Sequence, residues 1–175
     1  EPVSKGFIVK KTVKPLQQKQ AGKLSRGDLL QITLDVHSAG EMNWVVLNDP
    51  IPAGASILGK GLNRESAIAS QSGSEGLYPS YIENTYQGMK AYYEQVRTGD
   101  FQIMYTVRLN NAGTYNLPAT RIEGMYAPDV FGEIPNETMQ VMYWLKYLSF
   151  LFLYPDISGL TFSPNIVFLH LIPCS

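Results

Sequence analysis

The chain has one cysteine, Cys174, followed only by Ser175. That excludes an intrachain disulfide and any metal site built from several thiolates. Histidine is equally scarce: His37 and His170 are too few and too separated to argue a metal site, and no metal or cofactor is expected. Charge of neither sign prevails. Lys and Arg number 14 against 15 Asp and Glu, which gives no basic footprint for nucleic acid. There is no heptad pattern, no internal repeat and no GxSxG elbow around any serine. The start, Glu1-Pro2-Val3, has neither an initiator Met nor an apolar signal segment. It reads as a piece of a longer chain or as a processed product.

What is present suits one globular domain with a real core: 175 residues, 45% apolar and 17% charged. Eleven Tyr, eleven Pro and scattered Gly favour strands joined by many turns. Residues 7–13 (FIVKKTV) form a first strand that Pro15 should end. Residues 29–36 alternate, with Leu30, Ile32, Leu34 and Val36 on one face and Gln31, Thr33 and Asp35 on the other. Residues 44–47 (WVVL) are a short apolar strand, and NDPIPAG over 48–54 reads as an edge or a loop because proline donates nothing to a ladder. Residues 55–76 are small and polar, with room for a helical turn or two around 65–69. Residues 101–109 alternate again, with Phe101, Ile103, Tyr105, Val107 and Leu109 on one face. NNAG at 110–113 turns the chain, and residues 119–126 form the next strand. Short strands at regular spacing with turn signals between them predict a mainly β fold, an antiparallel β-sandwich with at most one short helix.

Residues 142–175 break from this composition. From Val141 on, Lys146 and Asp156 are the only charged side chains, beside His170, and no clear period runs through the apolar stretches. The run before Pro155 is shorter than the ~20 residues of a membrane-spanning helix. The chain therefore divides into a sandwich over 1–141 and an apolar tail of uncertain origin over 142–175, which must cover a surface or associate.

The candidate sites are few. Met125 and Tyr126 sit side by side in RIEGMYAPDVFG, with Gly124 before them and Pro128 after. Two large side chains on a proline-stiffened loop look like a contact device. The plainer account puts Met125 in the strand core and Tyr126 at its rim. The carboxylates Asp49, Glu83, Glu94, Asp100, Glu123, Asp129 and Glu133 show no acid–base spacing and read as solvated surface. Lys10, Lys11 and Lys14 read as a solvated strand edge, His37 as a strand-end surface residue, and Asn136-Glu137-Thr138 as a strand-edge turn despite its glycosylation spacing. Arg26-Gly27-Asp28 is a turn before a strand, with an adhesive reading as the lesser alternative. A second function class stays open: an independent adhesin or carbohydrate-binding sandwich, with Trp44 and the Tyr-rich strand 89–96 as a stacking platform.

Five stretches carry a family resemblance: GFIVKKTVKP (6–15), RGDLLQITLDV (26–36), NWVVLNDPIPAGASILGKGL (43–62), AYYEQV (91–96) and YTVRLNNAGTYNLPATRIEGMYAPDVFGE (105–133). Over roughly four fifths of its length the chain resembles the C-terminal macroglobulin domain, related to the receptor-binding domain of the animal proteins, of bacterial alpha-2-macroglobulins. The resemblance implies a non-enzymatic domain of a broad-spectrum protease inhibitor that is lipid-anchored at the inner membrane and faces the periplasm. In such a protein, bait cleavage traps the target protease. A separate domain of the same chain carries a thioester between Cys and Gln in a CxEQ motif. The C-terminal domain contacts that domain, and its Met-Tyr loop keeps water and stray nucleophiles away. By position that loop is Met125 and Tyr126, supported by Gly124 and Pro128. The sequence has no CxEQ, so the thioester itself belongs elsewhere.

Overall fold

The computed structural model describes residues 1–58 and 77–143, within a compact unit that spans Glu1–Trp144. The helical turn expected around 65–69 and the tail beyond Tyr143 lie outside the described residues. No helix occurs among those that are described. In chain order the strands are β1 (Val3–Lys5), β2 (Phe7–Gln17), β3 (Leu24–Ser25), β4 (Leu29–Ser38), β5 (Met42–Pro50), β6 (Ser56–Leu58) and β7 (Tyr81–Asn84). They continue as β8 (Gly88–Val96), β9 (Gly99–Arg108), β10 (Gly113–Tyr115), β11 (Thr120–Gly124), β12 (Ala127–Ile134) and β13 (Met139–Met142).

Two sheets form the layers. One runs β1-β12-β11-β5-β8-β7 and the other β2-β4-β9-β6. A small third sheet, β10-β13-β3, contains a parallel pair, β13 with β3, whereas the ladders of the two large sheets are antiparallel. Strand alternation turns one face of each large sheet inward. Leu30, Ile32, Leu34 and Val36 of β4 and Ile103, Tyr105 and Val107 of β9 meet Val45 and Leu47 of β5, Met89, Ala91 and Tyr93 of β8, and Ile122 of β11 in a single core. The period-two patterns of 29–36 and 101–109 therefore mark real inward faces. Tyr93 packs edge-on against Phe101, with ring centroids 5.2 Å apart. Its hydroxyl is buried without a hydrogen-bond partner.

Three local expectations are corrected. Pro15 does not end the first strand. β2 is the outer strand of its sheet, so the missing N–H costs no ladder bond, and the register shifts between Pro15 and Gln17. The segment 48–50 is neither edge nor loop. It completes β5, inside the six-stranded sheet, where Asp49 faces Met89 and Pro50 faces Gly88. This close approach needs glycine at 88, since a Cβ there would lie 2.3 Å from the Asp49 carbonyl oxygen. Third, the strand expected over 119–126 stops at Gly124, and Met125 and Tyr126 lie in the turn that follows. The turn at 110–113 delivers β10 to β13, with the Asn110 amide tied to the Gly54 carbonyl.

Candidate contact site

Met125 and Tyr126 form the two-residue tip of the β11–β12 hairpin, between the paired Gly124 and Ala127. They are 47% and 81% exposed. Met125 is thus not strand core. Tight two-residue hairpins ordinarily use turns with positive φ, which suit Gly and Asn. Neither tip residue has one. The mismatch is absorbed in β12, where the register jumps and residues 128–130 have no partner on β11. Pro128, lacking an N–H, falls inside this bulge, where it costs no ladder bond. Gly124 is buried for lack of space rather than for a special φ: a Cβ there would come within 2.6 Å of the Met42 sulfur.

Two braces fix the hairpin. The first is Arg121 on β11. Its Nε donates to Glu123 at 2.7 Å and its Nη1 to Glu133 at 2.9 Å, so the guanidinium joins both arms. It also stacks over the Phe131 ring, 4.1 Å from the centroid. The hydrogen bonds to Glu123 and Glu133 raise the already high pKa of Arg121, and the charge is permanent. The second brace is Trp44 on β5, whose carbonyl accepts the Met125 N–H at 2.7 Å. Trp44 has φ 58°, the one positive φ on a non-glycine residue among those described, and its side chain is 49% exposed.

At the other end of the same strand pair lies a buried charge. Asp49, expected on the surface, is wholly buried and binds the Lys11 ammonium at 2.6 Å, with the lysine side chain only 9% exposed. Its carboxylate also accepts from the hydroxyls of Tyr105 and Thr120. Lys11 therefore leaves the solvated cluster proposed for it with Lys10 and Lys14, and it donates further to the Asn136 side chain at 2.9 Å. Asn136 in turn donates to the Pro118 carbonyl and to Thr120, so the glycosylation-like motif is occupied by internal bonds. The clamp joins β2 and β9 of one sheet to β5 and β11 of the other. A buried carboxylate is tolerable only when its lone pairs are this fully used. Burial, then the Asp49 charge and hydrogen bond, raise the Tyr105 pKa well above that of a free phenol.

The other candidates separate. Asp28 is buried, accepting the backbone N–H groups of Ser25 and Lys19, so the Arg-Gly-Asp turn presents no free carboxylate for an adhesive role. Gly27 supplies the turn with φ 93°. Trp44 and the 89–96 tyrosines do not make one platform. Tyr93 points into the core, while Tyr92 lies against Tyr81 and donates to Glu83. His37 lies at a strand end as expected, paired with Asp100 at 2.6 Å in the open. Glu123 and Glu133 serve Arg121. Among the described residues no three His, Cys, Asp or Glu side chains gather as metal ligands.

Two packed antiparallel sheets, with no helix among the described residues, make a macroglobulin-type β-sandwich of the immunoglobulin-like class. The chain belongs to the bacterial alpha-2-macroglobulin MG10 domain family, whose model matches residues 3–129. It is 25% identical over 110 residues to an alpha-2-macroglobulin homolog of Nostoc sp., an alignment covering 62% of this chain and 6% of that protein. Among solved structures it is similar to native Escherichia coli alpha-2-macroglobulin spanning domain MG7 to the C-terminus (TM-score 0.66, 22% identity, 81% of this chain and 24% of that one). It is also similar to Salmonella alpha-2-macroglobulin reacted with methylamine (TM-score 0.65, 22% identity, 81% and 10%). At these identities the structural likeness shows the fold. The chain spans only a small part of each relative's length.

Proposed function

We propose that this domain is the non-enzymatic C-terminal part of a bacterial alpha-2-macroglobulin-like, broad-spectrum protease inhibitor, and that Met125 and Tyr126 cover the thioester carried by another domain of the same parent chain. The observation that carries the reading is the hairpin tip: two large, exposed, largely apolar side chains held on arms braced by Arg121 and Trp44. An exposed sulfur and an exposed ring add little to this fold. Their value lies in excluding water from whatever they cover, and a thioester carbonyl is attacked by water and amines unless it is kept dry. The reading carries with it a periplasmic parent, lipid-anchored at the inner membrane, whose partners are the proteases it traps. One Salmonella relative is described as reacted with methylamine and one Escherichia coli relative as trypsin activated, which makes amine consumption the natural assay.

In the parent protein, Met125→Ala with Tyr126→Ala should let methylamine expel the thioester thiolate without any protease, at a rate at least about tenfold above that of the unaltered protein. Thiol release over time measures this. Because both side chains are exposed, the melting temperature should stay close to that of the unaltered protein. An unchanged amine rate with intact folding would remove the shielding role.

A further inference from the structure

Trp44 is the one non-glycine residue with a positive φ among those described, and its large side chain is half exposed. A Cβ-bearing residue at φ 58° is strained, and strained backbone persists where function or the surrounding structure holds it. Its carbonyl is taken up by Met125, but glycine at this position would supply that carbonyl without strain. Its ring does not repay the strain by burial, being 49% exposed. The core positions of β5 that follow it, Val45 and Leu47, are fully buried. The position thus holds a large, costly, half-solvated indole one hydrogen bond away from the Met-Tyr tip.

We propose that Trp44 is the third member of the contact surface. Its left-handed backbone latches the hairpin through Met125, and its indole presses on the same thioester-bearing domain as Met125 and Tyr126. The inference rests on the shielding reading above and extends it from a hairpin tip to a surface that spans two adjacent strands, β5 and β11. The occupant follows from continuity: any partner seated on Met125 lies beside the residue that holds the Met125 N–H. An indole suits that task, since it offers a large rigid apolar face at small entropic cost together with one N–H donor.

Trp44→Gly separates the two roles, because glycine keeps the carbonyl latch, accepts φ 58° freely and removes only the ring. In the parent protein this variant should stay folded and melt within about 5 °C of the unaltered protein, relief of backbone strain offsetting much of the lost burial of the indole's covered half, while methylamine consumption without protease rises about tenfold. Trp44→Ala should raise amine consumption similarly but melt lower than Trp44→Gly, since alanine retains the backbone strain. If Trp44→Gly leaves amine consumption unchanged while the Met125/Tyr126 double alanine raises it, shielding stands and the role of Trp44 falls. If neither variant changes it, the shielding reading falls and this inference with it. A marked drop in melting temperature for Trp44→Gly would show that the ring serves the fold, and would also overturn the proposal.

Discussion

Replacing Asp49 with alanine should cost this fold about 3–5 kcal/mol, the range expected when one partner of a buried ion pair is removed and the other stays behind. The loss can be followed group by group. The Lys11 ammonium, 9% exposed, would keep only the Asn136 oxygen. The Tyr105 hydroxyl would lose its carboxylate in the core, and Thr120 would fall back on Asn136, 3.4 Å away. At about 2–4 °C per kcal/mol for a domain of this size, the melting temperature should fall by roughly 6–20 °C. Thermal and urea denaturation followed by circular dichroism would read both quantities, with the urea midpoint moving and its slope unchanged. Lys11→Met in the Asp49→Ala background should restore part of the loss, because it removes the orphaned charge. The double-mutant cycle should show at least about 1.5 kcal/mol of coupling. A loss below about 1 kcal/mol for Asp49→Ala, or a Lys11→Met effect that is the same with and without Asp49, would refute the clamp.

Tyr93→Phe removes a buried hydroxyl that has no partner and should leave the fold as stable or up to about 1–2 kcal/mol more stable, measured by urea midpoint. Burial raises the pKa of both Tyr93 and Tyr105, so the folded state retains phenol protons that the unfolded chain gives up near pH 10. The stability from this neutral burial is complete below about pH 10 and declines above it. The slope should approach about 1.4 kcal/mol per pH unit for each group, and Tyr93→Phe should remove that residue's share of it. Arg121→Lys keeps the charge but loses the fork that reaches Glu123 and Glu133 together. It should cost about 1 kcal/mol and speed hydrogen exchange at the hairpin amides more than at the β4–β9 core; unchanged exchange at Met125 would show that the brace is idle.

Those parts of the fold that depend on one strand and one face were legible in the sequence. Leu30 to Val36 and Ile103 to Val107 alternate because each strand buries a single side, and the hairpin tip stood out because Gly124 and Pro128 bracket two large residues. What escaped depends on pairings across the chain. Asp49 looked solvated because an Asp-Pro-Ile-Pro stretch resembles a loop, and its partners Lys11, Tyr105 and Thr120 lie 38, 56 and 71 residues away in sequence. Only the stacking of two sheets brings them together, and hydropathy carries no trace of it. Arg121 left a weak signal, since Arg-x-Glu places opposite charges on one strand face, but Glu133 joins through the register of β12. Nothing in the sequence marks residue 44 as left-handed.

The clamp and the hairpin occupy opposite ends of the same strand pair, with Thr120 and Asp49 at one end and Gly124 and Val45 at the other. Four residue steps, about 13 Å of extended backbone, separate them. Such a short double strand is a stiff lever. A push on Met125 or Tyr126 travels along β5 and β11 to Asp49, and from there through Lys11 and Tyr105 into the opposite sheet. A load applied at the tip therefore reaches both layers through the ion pair and hydrogen bonds of Asp49. Whatever leans on this hairpin must either displace the whole domain or be held in place by it.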